Sequence, residues 1–228
     1  GNTGFGNPAY ASAMILPINP IYNPDGTYFG LPGSGQNMVG TFNHNVMAVG
    51  DYVKYFTRTN QFIGSASVTY KPIPSLTLKS LIGIDYRLTQ DHRYQDPRVN
   101  DGFAVNGRLS DQSDWNTNLI STTTANFNKT IKDVHNVTAL AGIEYRRDQN
   151  QWIQADAQGF PSYLLQYLSA ASTPVAVSGQ WTASATFSQF GKLGYSYNSR
   201  YIFNYTFRRD GSSRFGANNK YGIFQSAQ

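Results

Sequence analysis

Residues 201–208, YIFNYTFR, put Tyr201, Phe203, Tyr205 and Phe207 on one parity and Ile202, Asn204, Thr206 and Arg208 on the other. Successive side chains of a strand point to opposite faces, so this period fits a half-solvated β-strand and no helix. The pattern recurs. In Gln61–Tyr70, Phe62, Ala66, Val68 and Tyr70 oppose Ser65, Ser67 and Thr69. In 76–87, Leu76, Leu78, Ile82, Ile84 and Tyr86 oppose Thr77, Lys79, Asp85 and Arg87. Residues 115–129 repeat it weakly through Trp115, Leu119, Ala125 and Phe127, and 134–147 repeat it through Val137, Ala139, Ala141, Ile143 and Tyr145. Residues 181–197 carry Trp181, Ala183, Ala185, Phe187, Leu193, Tyr195 and Tyr197 on one side.

The connections alternate in length. Short ones fall near 71–75, 130–133 and 198–200; long ones run from Leu88 to about Asp114, from Asp148 to about Gln180, and onward from Asp210. A soluble sandwich has no reason to sort its loops this way, whereas an outer-membrane barrel has tight turns at one end and long loops at the other. Ten residues at roughly 3.3 Å each, tilted about 40°, cross its ~25 Å apolar band. Composition agrees: aromatics reach 14%, with 16 Tyr and 14 Phe, while charged residues also stop at 14%, against roughly 25% in soluble domains. No window is long and apolar enough for a transmembrane helix, so a membrane-crossing chain of this kind has to close its sheet. The expected fold is all-β, a transmembrane antiparallel β-barrel portion of about six to seven strands. Residues 1–60 read as a loop-rich barrel segment with room for one strand, and 61–228 as consecutive barrel hairpins.

The charges follow the same parity. Asp85, Arg87, Glu144, Arg146 and Arg208 fall on the polar face near the long-loop end, and Lys79 and Lys192 share that face. Tyr70, Tyr195, Tyr197, Tyr201, Tyr86 and Tyr145 cluster at the two proposed membrane boundaries, where amphipathic rings are favoured. The net charge of +5 is scattered and forms no basic, aromatic-interleaved patch, which argues against a nucleic-acid partner. There is no Cys, hence no disulfide or thiolate chemistry. His44, His92 and His135 lack metal-ligand spacing, so no metal is expected. Asp91, Asp96 and Asp101 read as members of a solvated loop, and Asp210-Gly211 as a tight turn. No nucleophile, base or carboxylate pair comes with a defined pocket, so neither an enzyme nor a cofactor is expected. The opening GNTGFGNPAY shows no secretory signal pattern. Candidate ligand contacts are loop aromatics, Trp152, Tyr163 and Tyr167, whose faces accept sugars or apolar side chains without needing charge.

The run YNSRYIFNYTFRRDGSSRFGANNKYGIF, with RRDGSSRFG intact at 208–216, resembles the late-barrel signature of SusC/RagA-type TonB-linked outer-membrane proteins. YKPIPSLTLKSLIGIDY (70–86), NVTALAGIEYR (136–146), LPINPIYNPDGTY (16–28) and QGFPSYLLQYLSAA (158–171) are similar to further family segments, in family order. Ser199 stands where the family more usually has Asp or Lys. The resemblance implies part of a 22-stranded barrel that holds an N-terminal plug. It also implies nutrient import of glycans or peptides in the bacterial outer membrane, with a SusD-like surface lipoprotein as partner and energy from TonB through an N-terminal region. Six or seven strands do not close such a barrel, so the chain is expected to be a portion of one. Alternation alone also fits a passive porin or other non-transport barrel, and a soluble carbohydrate-binding β-sandwich is the alternative from another class.

Overall fold

A computed structural model describes residues 12–40, 45–216 and 219–228; His44 lies outside the described residues. Seven strands form one antiparallel sheet in the order β1-β2-β3-β4-β5-β6-β7, each paired with its neighbours in sequence. They are β1 Lys54–Ile73, β2 Leu76–Gln95, β3 Arg108–Ile131, β4 His135–Gln158, β5 Thr173–Tyr197, β6 Tyr201–Ser212 and β7 Tyr221–Ala227. Helix among the described residues is short: 12–14, α1 Val46–Tyr52 and α2 Asn100–Phe103, with a 3-10 turn at Leu168–Ala170.

The strands are longer than the sequence pattern predicts. Segment 54–60 continues into 61–73 as one strand, and the presumed excursions 88–114 and 148–180 are mostly strand, leaving loops only at 96–107 and 159–172. Hydrogen bonding between strands requires no apolar face. Where both faces turn polar the ladder continues, but the hydrophobic period that reveals it is lost. The short–long alternation itself holds. Two of the short connections place consecutive residues in the left-handed region, Lys132 and Asp133 (φ 53° and 56°) and Asn198 and Ser199 (φ 49° and 55°). Two successive positive φ values are what a type I′ hairpin turn requires, and its twist matches that of the flanking strands.

The chain divides into two compact units: Gly1–Thr59, Thr89–Asp114 and Trp152–Gln180 form the first, and Asn60–Leu88, Trp115–Gln151 and Trp181–Gln228 the second. Every buried hydrophobic side chain among the described residues belongs to the first: Met38, Ala48, Tyr94, Val99, Leu109, Ala157 and Phe160. Tyr94 and Phe160 meet edge to face, with ring centroids 5.5 Å apart, and Leu109 completes their cluster. Asn106 latches two loops there. Its amide donates to Phe160 O (2.8 Å), and its carbonyl accepts from Phe160 N (2.8 Å). Asn45 caps α1 by accepting from Ala48 N (3.1 Å), while its own amide donates to Ile21 O and Phe29 O. One side chain thus fixes both the helix start and the preceding irregular segment.

Among its described residues the second unit has no such core. Its apolar parity stands open, with Val68 71%, Ile82 59% and Phe203 54% exposed. On β5 and β6 the register pairs Leu193 with Tyr205, Tyr195 with Phe203 and Tyr197 with Tyr201, so the aromatic residues collect on one face. Lys192–Thr206, Gly194–Asn204 and Ser188–Asp210 pair on the other. A soluble sandwich would cover the apolar face with a second sheet, but the described strands make one sheet only.

Candidate functional site

Alternation supplies each strand with residues two apart on the same face. Arg93 and Gln95 of β2, Arg108 and Ser110 of β3, and Gln154 and Asp156 of β4 are three such pairs, and together they line one cavity of about 310 Å³ in the first unit. Gln154 Nε2 donates to both Asp156 oxygens (3.2 and 3.0 Å) and to Ser110 Oγ (3.3 Å). Gln95 Nε2 donates to the Tyr55 hydroxyl (3.2 Å), and Tyr55 also borders the cavity. The two cations are loosely held. Arg93 approaches Asp91 only to 3.9 Å, and Arg108 has no ion pair or side-chain hydrogen bond among the described residues. Gln95 Oε1 is enclosed without a hydrogen-bond partner among the described residues, a condition that natural structures keep rare and that attends functional sites.

The loops above this wall are held by a different device. Asp96, fully buried, accepts from Arg98 Nε (Oδ1, 2.8 Å) and Nη2 (Oδ2, 2.8 Å) and from Arg98 N (2.9 Å). The guanidinium lies between two rings, 3.7 Å from the Tyr52 centroid and 3.8 Å from that of Tyr163. The bond to Asp96 raises the Arg98 pKa further above its usual range. Burial pushes the neighbouring Tyr94 hydroxyl up to about 12, and that hydroxyl has no partner among the described residues.

Of the aromatic candidates, Tyr163 is therefore engaged with Arg98, Tyr167 is 70% exposed in the 159–172 loop, and Trp152 is half-buried on β4. No ring contact joins the three among the described residues. The aspartate trio is not a uniformly solvated loop. Asp91, on β2, accepts from the Thr57 hydroxyl, and Asp96 is buried because Arg98 neutralises it at short range. His92 bonds Asp111 (2.7 Å) and stacks on Phe56, and His135 bonds the Tyr195 hydroxyl (2.8 Å). Among the described residues no group of three His, Cys, Asp or Glu is placed to hold a metal.

Asp210-Gly211 is not a turn. Both residues are in β6, opposite Ser188 and Phe187. Gly211 is needed for close packing, since a Cβ there would meet the Tyr221 ring at 2.5 Å. Arg208 bonds Asp210 (2.8 and 2.9 Å) and Ser188 (3.1 Å) and lies 3.7 Å from Glu144, while Arg209 covers the Tyr221 ring at 4.1 Å. The arginine burst is thus largely satisfied within the sheet. The six cavity residues escaped sequence reasoning because their strands carry no apolar period at that height. The signal available was i, i+2 spacing of polar residues.

The chain is 29% identical over 228 residues to TonB-dependent receptor P3 of Formosa agariphila, covering 99% of this chain and 22% of the relative. It is 31% identical over 169 residues to receptor P39 of the same organism, covering 71% and 16%. It is 28% identical over 208 residues to TonB-dependent receptor SusC of Bacteroides thetaiotaomicron, covering 90% and 19%. The chain thus spans about a fifth of the length of these relatives. Among solved structures, a chain of the RagAB peptide transporter superposes with a TM-score of 0.76 at 24% identity, covering 89% of this chain and 23% of that one. The RagAB peptide importer in its closed-closed state gives 0.77 at 22%, covering 94% and 24%. No family model matches the chain.

Proposed function

The chain belongs to the SusC/RagA group of TonB-dependent receptors, and we propose that in the whole protein it forms seven wall strands of an outer-membrane nutrient importer. The importer takes up a glycan or peptide, works with a SusD-like surface lipoprotein, and draws energy from TonB through a region outside this chain. One observation supports the membrane assignment above others: the second unit presents an apolar face with, among the described residues, no buried hydrophobic side chain behind it. Hydrocarbon is the environment that makes such a face favourable. The short turns then face the periplasm and the 96–107 and 159–172 loops face outward.

Ile82 tests the membrane reading. It lies six residues into β2, near the middle of an apolar band about ten residues deep. Ile82→Arg in the intact receptor should lower barrel stability by about 2–4 kcal/mol. Leu81→Arg, one residue away on the opposite parity, should change it by less than about 1 kcal/mol. Urea midpoints and heat-modifiable migration in detergent read the difference, and equal effects would remove the lipid assignment. Uptake in a host lacking TonB tests the energy coupling: import that persists unchanged would favour the passive-porin alternative.

A further inference from the structure

We infer that the cavity lined by Arg93, Gln95, Arg108, Ser110, Gln154 and Asp156 is a subsite for a carboxylate-bearing sugar, a uronic acid unit of an oligosaccharide. This inference rests on the importer reading and narrows its substrate class. The wall carries two guanidinium groups and one carboxylate. Arg108 has no charged partner among the described residues, and no ion pair joins either arginine to Asp156. The cavity therefore offers separated positive and negative poles. A ligand that fits both presents an oxyanion to the arginines and hydroxyl donors to Asp156. Guanidinium presents a planar donor fork that matches a carboxylate in bidentate fashion. Ser110, Gln154 and Gln95 add side-chain donors and acceptors at strand spacing, and the half-exposed Tyr55 ring supplies an apolar surface at the edge. The volume, at the small end of ligand pockets, suits about one or two sugar rings.

A peptide carrying acidic side chains is less well matched. Peptide recognition by a sheet uses unpaired main-chain groups at a strand edge. Here the six polar residues stand on β2, β3 and β4, strands with a neighbour on each side, so their contribution is side chains and not a strand edge; only Tyr55 of the edge strand β1 and Val175 of β5 border the cavity from other strands.

The test uses the intact receptor purified in detergent, with binding measured by calorimetry. The probes are a galacturonate tetrasaccharide, the same sugar as its neutral methyl ester, and a tetra-aspartate peptide. The acid should bind more tightly than the ester, and added salt should weaken the acid alone. Arg108→Gln should lower affinity for the acid about 10- to 100-fold and leave the ester unchanged, as for loss of a charge-assisted hydrogen bond. Arg93→Gln should act in the same direction. Because Arg108 is exposed and unpaired among the described residues, its variant should retain wild-type heat-modifiable migration. Equal binding of acid and ester, no binding of the acid, unchanged acid affinity in Arg108→Gln, or arginine-dependent binding of the peptide in place of the sugar would each overturn the subsite. TonB-dependent uptake, measured separately on any solute the receptor imports, reports the importer reading. Retained uptake with no acid preference removes only the subsite, and lost TonB dependence removes the importer.

Discussion

Gly102→Ala should open the 96–107 loop and reduce stability by at least about 3 kcal/mol, near the top of what single substitutions do. A Cβ at Gly102 would lie 2.6 Å from the Asp96 carbonyl carbon and 2.7 Å from Gln95 O, with Asp96 O closer still. These atoms are main chain at the end of β2, so no rotamer change relieves the clash. Gly102 also donates to Val99 O (3.0 Å) and accepts from Gly107 N (2.8 Å), so moving it breaks the turns on both sides. Proteolysis of the intact receptor at this loop measures the effect. Cleavage should rise sharply in Gly102→Ala, while Gly50→Ala, with open space around its Cβ position, serves as the tolerant control. Equal cleavage in both variants would show that the loop is not packed as described.

Asp96→Ala should weaken the same loop by about 3 kcal/mol, for an electrostatic reason. Asp96 is fully buried and carries both oxygens against one guanidinium, so its removal strands Arg98 between two rings without a counter-charge. The Arg98 side chain is 35% exposed and can turn toward water, which holds the loss to the lower end for a broken buried pair. Hydrogen exchange of the Arg98 and Val99 amides, which donate to Asp96 Oδ1 and Asp96 O, should accelerate by about 100-fold. Asp96→Asn keeps the shape and part of the bonding, and should fall between wild type and alanine. If alanine leaves exchange unchanged, the clamp contributes nothing and the loop is held by Asn106 and Phe160 alone.

In the sequence, Asp96 and Asp101 read as members of a solvated loop. Hydrophobic period reports the strands well only where one face is apolar. It located the later hairpins, including Tyr201–Phe207, and the order of short and long connections. It stopped near Arg87 and Arg147 because β2 and β4 continue beyond the apolar band with polar residues on both faces. The same blindness hid the cavity, since Arg93, Ser110 and Gln154 are separated by tens of residues and meet only through strand pairing. Trp152, Tyr163 and Tyr167 are candidates on ring chemistry alone. Nothing in the sequence near Tyr163 indicated that Arg98 would occupy one of its faces.

What the amino-acid order determined by itself is the β class, the two-faced strands and the hairpin order, because alternation is local and is written in consecutive residues; the family entered through the resemblance of runs such as RRDGSSRFG at 208–216. What only the tertiary structure decided is which polar side chains become neighbours, which aspartate is buried, and that Gly211 serves ring packing and not a turn. Those outcomes depend on register between strands distant in sequence, and register places residues from separate strands on one face with no trace in any single stretch of chain.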